Sequence, residues 1–286
     1  MEEVVAMGEE RVSQKRLEEL EQQLNEKDRQ ILLSIHKCRY LTTQQIKRLH
    51  FNNPTSQIAA IKAANRNLAK LRDYGLIGAL TRRIGGVRAG SSSYIWALRP
   101  AGFRLMCMSN PDGKPCKRFL EPSPYFLKHT LAVSEAYLQI VEICACRSLE
   151  LRMAQIEPEC WRPHPASGGK TAVLKPDLFA VTINGEYADS WFVEIDLATE
   201  PYTAVLEKCG RYLRYYQTGA EQKRHGGFPQ VVWVVPDEKR KNSIQERISD
   251  EYIKAPKIFV VIIPEELEPL IASGAAEYLK TKGGGM

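Results

Sequence analysis

The sequence lacks the patterns that mark membrane proteins and disulfide-bonded proteins. No apolar run approaches the roughly 20 residues that a membrane-spanning helix needs, and the N-terminus is too polar for a signal peptide. The seven cysteines are odd in number and scattered along the chain, which favours reduced thiols over a disulfide framework. We therefore expect a cytoplasmic protein with no membrane partner.

Histidines and zinc ligands are also scarce. The five histidines are far apart in the sequence. Cys160 and His164 lack a second ligand pair at zinc-binding spacing. The sequence therefore predicts neither a histidine cluster nor a zinc site.

Acidic residues are nearly absent from one long segment. Between Lys37 and Arg104, Asp73 is the only acid, whereas thirteen residues are basic: Lys37, Arg39, Lys47, Arg48, Lys62, Arg66, Lys70, Arg72, Arg82, Arg83, Arg88, Arg99 and Arg104. Such a surface attracts the phosphates of nucleic acid by releasing counterions, and the affinity falls steeply with salt. The pattern favours a nucleic-acid-binding domain, with an ordinary basic surface as the alternative.

The same segment has the element pattern of a winged helix. Residues 28–106 are expected to form three helices and then a β-hairpin with a glycine-rich tip. Gly75 is expected to end the third helix. The apolar positions expected to face inward on that helix are Ile58, Ile61, Leu68 and Leu71.

On a winged helix, the third helix reads base edges and the wing touches the backbone or the minor groove. Double-stranded DNA is therefore the expected partner, and a protein-docking winged helix is the alternative. The candidate contacts on the third helix are Gln57, Lys62, Asn65 and Arg66, and those on the wing are Arg82, Arg83 and Arg88.

Residues 1–27 form a polar extension with a narrow apolar seam. Leu17, Leu20, Leu24 and Ile31 follow the 3,4,7 spacing of a helix. Two heptads are too few to assign a coiled coil. The seam predicts either a homodimer through this helix or a helix that packs on its own domain.

The second half of the chain has the pattern of an α/β/α domain. Residues 107–127 are the expected linker, residues 128–280 the second domain, and residues 281–286 a disordered tail. The order αβββαβαβα predicts a mixed sheet with helices on both faces. The expected fold is α+β, with an N-terminal winged helix-turn-helix followed by an α/β/α domain around a mixed central sheet.

Two adjacent strands of this domain carry acidic residues. Residues 174–183 and 190–199 are rich in β-branched and aromatic residues, and the Asn184-Gly185 pair between them is a strong turn signal. Because side chains alternate along a strand, Glu194 and Asp196 share one face.

The register of this hairpin places a third acid. If Ile183 pairs with Ser190, Asp177 lies opposite Asp196; a shift by two residues places it opposite Glu194. Either register brings Asp177 onto the face of the other two acids. Three clustered carboxylates repel each other unless a cation joins them, and hard oxygen ligands favour Mg²⁺ or Mn²⁺. A solvated strand face with scattered acids is the alternative.

These residues resemble the PD-(D/E)xK nuclease motif. Pro176-Asp177 followed by Glu194-Ile195-Asp196 has the order of that motif, although Asp196 occupies the position of its lysine. The resemblance implies that Asp177 and Glu194, with Asp196, hold a divalent metal. It also implies that Lys208, on the following helix, supplies the missing lysine. The candidate catalytic residues are Asp177, Glu194, Asp196 and Lys208.

Tyrosines on the helix of Lys208 have two interpretations. Tyr212 and Tyr215 lie on the same side as Lys208, where they would either stack on unpaired bases or belong to a half-buried amphipathic face. A tyrosine nucleophile is the alternative to water. Because no histidine cluster accompanies the tyrosines, we prefer water activated by the metal.

Residues 30–220 are similar to the replication-relaxation family of plasmid and mobile-element proteins, which joins a winged helix to a nuclease-like domain. The similarity lies in the order of motifs: LTTQQIKRLHF, RNLAKLRDYGLI, RRIGGVRAGSSSYIWALRPAGFRLM, a helix that opens at His129, Pro176-Asp177, and Glu194-x-Asp196. The acid-x-acid form is usual in that family.

The resemblance implies a DNA-binding protein of plasmid or mobile-element replication or mobilisation. Its expected activity is to nick or relax DNA at an origin by metal-dependent phosphodiester hydrolysis, with relaxosome proteins as partners. The alternative is a non-catalytic origin-binding protein or transcriptional regulator with an inactive nuclease-like domain.

Overall fold

A computed structural model describes residues 12–51, 56–81, 94–108 and 121–283. Its contacts divide the chain after residue 131 into two compact units. No helix in these four ranges is long and apolar enough to cross a membrane.

The N-terminal unit combines helices with a three-stranded antiparallel sheet, in which β3 lies between β1 and β2. Its elements are α1 (Gln14–Gln23), α2 (Glu26–Cys38), β1 (Leu41–Thr42), α3 (Thr43–His50), α4 (Gln57–Asp73), β2 (Ile77–Ala79), β3 (Ile95–Leu98) and α5 (Pro100–Met108). The order from α2 to β3 does not contradict the predicted winged helix. The predicted wing, with Arg82, Arg83 and Arg88, lies outside the described residues.

Side-chain caps explain where two of these helices begin. Asn25 and Asp28 form a reciprocal capping box at the start of α2, and Thr42 and Gln45 form another at the start of α3. The carboxylate of Asp28 also pairs with Lys70 of α4 at 2.6 Å. The cap of α2 is thereby tied to α4 by a partly buried ion pair.

The apolar seam of the N-terminal extension is buried within this unit. Leu17, Leu20 and Leu24 are each at most 4% exposed. The structure therefore has the packed alternative, and these leucines are not available for the homodimer that the sequence also allowed. Asn25 separates α1 from α2, so the seam is not one continuous helix.

The inward face of α4 differs from the prediction. Ala60, Ala64, Leu68 and Leu71 are buried, as one helical face requires. Ile58 is 67% exposed, so its prediction as an inward residue is wrong. The reason is its phase, because two residues of an α-helix span about 200° and place Ile58 opposite Ala60.

The C-terminal unit is built on a five-stranded mixed sheet with the order β10-β9-β8-β7-β4. The β10–β9 and β9–β8 pairs are parallel, and the β8–β7 and β7–β4 pairs are antiparallel. The elements are α6 (Pro124–Arg147), which contains the boundary, β4 (Glu150–Ile156), β5 (Arg162–Pro165), β6 (Thr171–Leu174), β7 (Leu178–Asn184), β8 (Tyr187–Ile195), α7 (Tyr202–Gln217), α8 (Ala220–His225), β9 (Gln230–Val234), α9 (Glu238–Glu251), β10 (Phe259–Ile262), α10 (Leu267–Ser273) and α11 (Ala275–Gly283), with 3₁₀ turns at Ser167–Gly169 and Pro264–Glu266.

Both faces of the central sheet are covered, as the sequence predicted. On one face, Phe179 and Phe192 pack with Val205 and Cys209 of α7 in the main core cluster. On the other face, the alternate residues of β7 and β8 are also buried: Leu178, Ala180, Trp191 and Val193. The acids at the ends of these strands therefore lie in the interior of a layered domain.

The strand predicted over residues 174–183 is two strands. Leu174 ends β6, which pairs with β5 in a separate two-stranded sheet, and Leu178 begins β7 in the central sheet. Pro176 lies between them and has no N–H for a sheet hydrogen bond. Residues 162–165 form β5, a strand that the predicted order αβββαβαβα does not contain.

Candidate active site

The β7–β8 hairpin brings two of the predicted acids together. Leu178 pairs with Val193 and Ile183 with Ala188, so the second of the two predicted registers is confirmed. That register places Asp177, just before β7, opposite Glu194. Gly185, in the turn, has a φ of 60°, a conformation that glycine adopts without steric cost.

Asp177 is held by the backbone of the neighbouring strand. Its Oδ2 accepts a hydrogen bond of 2.8 Å from the N–H of Ile195. Its Oδ1 lies 3.6 Å from Nζ of Lys208. The carboxylate is 6% exposed, so these contacts fix its direction while one oxygen remains close to the lysine.

Glu194 lies deeper and is fully buried. Its Oε2 accepts a hydrogen bond from Lys208, and its Oε1 accepts one from the hydroxyl of Tyr212. Burial raises the pKa of Glu194 to about 8, although the Lys208 charge acts in the opposite direction and the Asp177 charge adds to the increase. Glu194 is thus the strongly perturbed carboxyl of the site.

Lys208 connects the two acids from the first half of α7. Burial by itself lowers the pKa of its ammonium group, but the charges of Glu194 and Asp177 outweigh that effect and raise the pKa. The lysine predicted from the following helix therefore lies against both acids. We call the cluster of Asp177, Glu194 and Lys208 the acid pair and its lysine.

Asp196 does not join this cluster. It follows the end of β8, and its carboxylate accepts hydrogen bonds from Arg240 of α9 at 2.6 and 3.3 Å and from the N–H of Ala198 at 3.0 Å. Within the four described ranges, no group of three or more His, Cys, Asp or Glu side chains is placed to hold a metal. The predicted cluster of three carboxylates is therefore absent from this structure, because the Arg240 guanidinium binds the third.

The two remaining carboxylates suit a hard divalent cation. Mg²⁺ in proteins is commonly held by one or two carboxylates together with waters and substrate phosphates. Asp177 and Glu194 already point oxygen atoms at one cationic group, the ammonium of Lys208. The donor set fits Mg²⁺ or Mn²⁺ in its chemistry, with two protein ligands rather than three.

The tyrosines of α7 are core residues. Tyr212 and Tyr215 are at most 1% exposed. Burial and the neighbouring Glu194 raise the pKa of Tyr212 well above its usual value, and burial also raises that of Tyr215. Of the two interpretations of these tyrosines, the structure has the packed helix face and not the one that stacks on unpaired bases. Their raised pKa values oppose a nucleophilic role.

The predicted DNA-contact residues of α4 lie at the surface of the N-terminal unit. Gln57, Lys62, Asn65 and Arg66 are all exposed. Gln57 accepts a 2.8 Å hydrogen bond from Lys47 of α3, so the two helices share this surface. The exposed face of α4 is therefore polar and basic, with Ile58 as its apolar member.

Two partners of the site were missed by sequence reasoning. Arg240 lies 44 residues beyond Asp196, and no local spacing connects them. Tyr212 lies four residues after Lys208 and was placed on the same helical face, so the spacing signal was present. Its hydroxyl bonds to Glu194 instead of reaching the surface.

Comparisons with known proteins give one family. The family model described as Replication-relaxation matches residues 32–231. A comparison with curated proteins gave no match. Among solved structures, the restriction endonuclease FokI bound to DNA is similar at 13% identity, with 91% of this chain and 45% of that chain covered and a TM-score of 0.25. The chain spans less than half of that structure, and a score this low does not establish a shared fold.

Proposed function

Because this chain belongs to the replication-relaxation family, we propose that it acts on the DNA of a plasmid or mobile element, at a replication or mobilisation origin. The N-terminal unit binds the duplex, and the acid pair and its lysine nick or relax the DNA by metal-dependent phosphodiester hydrolysis. Relaxosome proteins are the expected partners, and the cytoplasm, where such DNA lies, is the expected location.

The observation that carries the proposal is the convergence of Asp177 and Glu194 on Lys208. A fully buried carboxyl with a strongly raised pKa beside a specific charge partner, here Glu194 beside the Lys208 ammonium, is typical of functional sites. Mg²⁺ or Mn²⁺, held by Asp177 and Glu194, would polarise the scissile phosphate and acidify the attacking water. The protein's own contribution is to orient the two carboxylates and Lys208 around that metal.

Each residue of the site has a distinct part in this proposal. The N–H of Ile195 fixes Asp177, and the hydroxyl of Tyr212 fixes Glu194. Lys208 stabilises the negative charge that develops on the phosphate. Arg240 holds Asp196 and thereby the end of β8, which makes Asp196 a positioning residue instead of a ligand.

A second candidate function rests on the Asp196–Arg240 pair. Because that pair removes the third carboxylate from the cluster, the domain has fewer ligands than the sequence predicted. This favours a non-catalytic origin-binding protein or transcriptional regulator, in which the acid pair only stabilises the fold.

Supercoiled plasmid carrying the element's own origin separates the two candidates. For the enzyme, we expect conversion to open circles with Mn²⁺, none with chelator, and a loss of at least about 100-fold in Glu194→Gln. Glu246→Gln, an exposed acid of α9, is the matched control and should cut normally. Uncut plasmid with Mn²⁺, together with a salt-sensitive gel shift that survives Glu194→Gln, would overturn the enzyme and support the regulator.

A further inference from the structure

A cavity of about 520 Å³ lies between the β5–β6 hairpin and α7. Lys208, Arg211 and Arg214 line it from α7, and His164, Val173 and Lys175 line it from the hairpin. Lys208 also belongs to the acid pair and its lysine. Lys175 precedes Asp177 by two residues. The cavity is therefore continuous with the candidate active site but is built mainly from residues that the site does not use.

Apart from Lys208, which is paired with Asp177 and Glu194, the cations that line this cavity have little compensation. No acid lines it among the described residues. Within those residues, Lys175 and Arg214 take part in no ion pair, and the Lys175 ammonium lies 4.5 Å from the ring centroid of Trp161. Arg211 meets Glu207 at 3.9 Å, and both side chains are more than half exposed, so that pair is weak. The cavity thus attracts an anionic ligand.

The size and shape of the cavity limit which anionic ligands it can bind. Its volume is in the range of small-molecule sites. A cavity of this size holds about one or two nucleotides and is too small for a duplex. The cations of α7 recur every three residues, so Lys208 and Arg214 are about 9 Å apart along the helix, more than a single phosphate spans. Val173, 41% exposed, adds an apolar surface for a sugar or base.

We propose that this cavity binds the backbone of a single DNA strand beside the acid pair. Basic grooves that track phosphates next to apolar surface are the usual means of holding single strands. The inference rests on the proposed function in taking DNA as the ligand. It does not require hydrolysis, because Lys175 and Arg214 touch neither Asp177 nor Glu194.

The test measures binding of a fluorescent 12-nucleotide single strand to the full chain in chelator. The background is Lys62→Gln/Arg66→Gln, which weakens the N-terminal DNA contacts. Adding Lys175→Gln/Arg214→Gln should weaken strand binding about tenfold and reduce the slope of log K against log salt by about 1.4, for two lost phosphate contacts. The control pair Arg152→Gln/Lys280→Gln removes the same charge from exposed positions and should change neither quantity.

Competition experiments show whether the cavity binds the phosphates of a DNA strand or those of a small ligand. An unlabelled oligonucleotide should displace the probe, and inorganic phosphate or dAMP at equal phosphate concentration should not. Displacement by either small ligand, or unchanged affinity and slope in the cavity variant, would overturn the proposal. A halogenated oligonucleotide photocrosslinked to the wild-type chain covers the case in which the variant unfolds: crosslinks within residues 172–175 or 211–214 are expected, and their absence counts against the cavity.

Plasmid nicking keeps this result separate from the proposed function. If wild-type protein does not nick but the cavity variant loses strand binding, hydrolysis is refuted and the cavity stands. If Lys175→Gln/Arg214→Gln, introduced into the otherwise wild-type chain, nicks with the wild-type dependence on DNA concentration, the cavity proposal fails and hydrolysis stands.

Discussion

Glu194 and Asp196 show how two acids of one strand acquire different roles. They are two residues apart and share a face by sequence. Glu194 still lies within β8, under α7, and meets Lys208 and Tyr212. Asp196 lies past the end of the strand, where Arg240 of α9 reaches it. Strand alternation predicts a shared face for the two acids, but the end of β8 before Asp196 and the approach of α9 depend on tertiary packing.

The stability of the metal-free protein should fall with pH because of Glu194. Its folded-state pKa of about 8 lies above the ordinary 4.5. At pH values between these two, the folded protein holds a proton that the unfolded chain has released. The free energy of unfolding therefore decreases as pH rises from about 5 to 8. Each unit of pKa difference corresponds to about 1.4 kcal/mol, so the decrease is a few kcal/mol.

Urea unfolding of wild type and Glu194→Gln in chelator, at several pH values, measures this effect. The variant cannot ionise and should lack the decrease. His50 acts in the opposite direction, because burial and the Lys27 charge lower its pKa to about 4, but it is present in both proteins and cancels in the difference. Parallel pH profiles for the two proteins would contradict the prediction.

Asp196→Asn should affect stability more than metal binding. It leaves the Arg240 guanidinium, 8% exposed, without its charged partner, which costs roughly 3 kcal/mol for a buried pair. Mn²⁺ affinity, followed by the electron paramagnetic resonance signal of the free ion, should stay close to wild type, whereas Glu194→Gln should lose it. Loss of Mn²⁺ binding in Asp196→Asn at unchanged stability would restore Asp196 as a ligand.

Local signals predicted several elements well. The glycine that follows α4 and the alternation of β8 both rest on neighbouring residues, and the structure contains both. The break between β6 and β7 escaped prediction because β-forming residues continue on both sides of Pro176. β5 is a strand despite its two prolines, because Pro is tolerated in a short edge strand.

Helix α5 was missed for a different reason. Pro100 directly follows the last strand of the predicted hairpin, where a proline is typical of a strand end, but proline also suits the first turn of a helix. Gly102 allows α5 to approach the N-terminal sheet, since a Cβ at this position would lie 2.1 Å from the carbonyl oxygen of Leu76. No local sequence signal around Gly102 predicts its contact with Leu76, which lies 26 residues earlier.

The exposure of Ile58 allows a test of which face of α4 packs inward. Ile58→Ser should change the free energy of unfolding by no more than about 0.5 kcal/mol, because the side chain is 67% exposed. Leu68→Ala, on the buried face of the same helix, is the matched comparison and should cost about 2–5 kcal/mol. Thermal and urea unfolding of both variants decide the matter. A cost for Ile58→Ser near that of Leu68→Ala would mean that Ile58 faces inward after all.

At the scale of the whole molecule, the sequence predicted a basic half and an acid-bearing half. The structure has two compact units and, in the second, the predicted mixed sheet, although it also contains elements such as α5 and β5 that the predicted order lacks. Charge distribution and element order are properties of long segments, so they can be read without coordinates. The cavity beside Lys208 and the Arg240 contact join residues far apart in the chain, and only the folded structure places them together.

Binding and cutting should be separable by substitutions in the two units. Lys62→Gln/Arg66→Gln removes two exposed cations of α4 and should lower duplex affinity, with the slope of log K against log salt reduced by about 1.8. It should raise the protein concentration needed for half-maximal nicking and leave the rate at saturation unchanged. Glu194→Gln should do the reverse. Gel shifts in chelator and plasmid nicking in Mn²⁺ measure the two properties, with Lys280→Gln as the surface control. If Glu194→Gln weakened duplex binding as much as the α4 variant, duplex recognition would not belong to the N-terminal unit alone, because Glu194 is fully buried in the other unit.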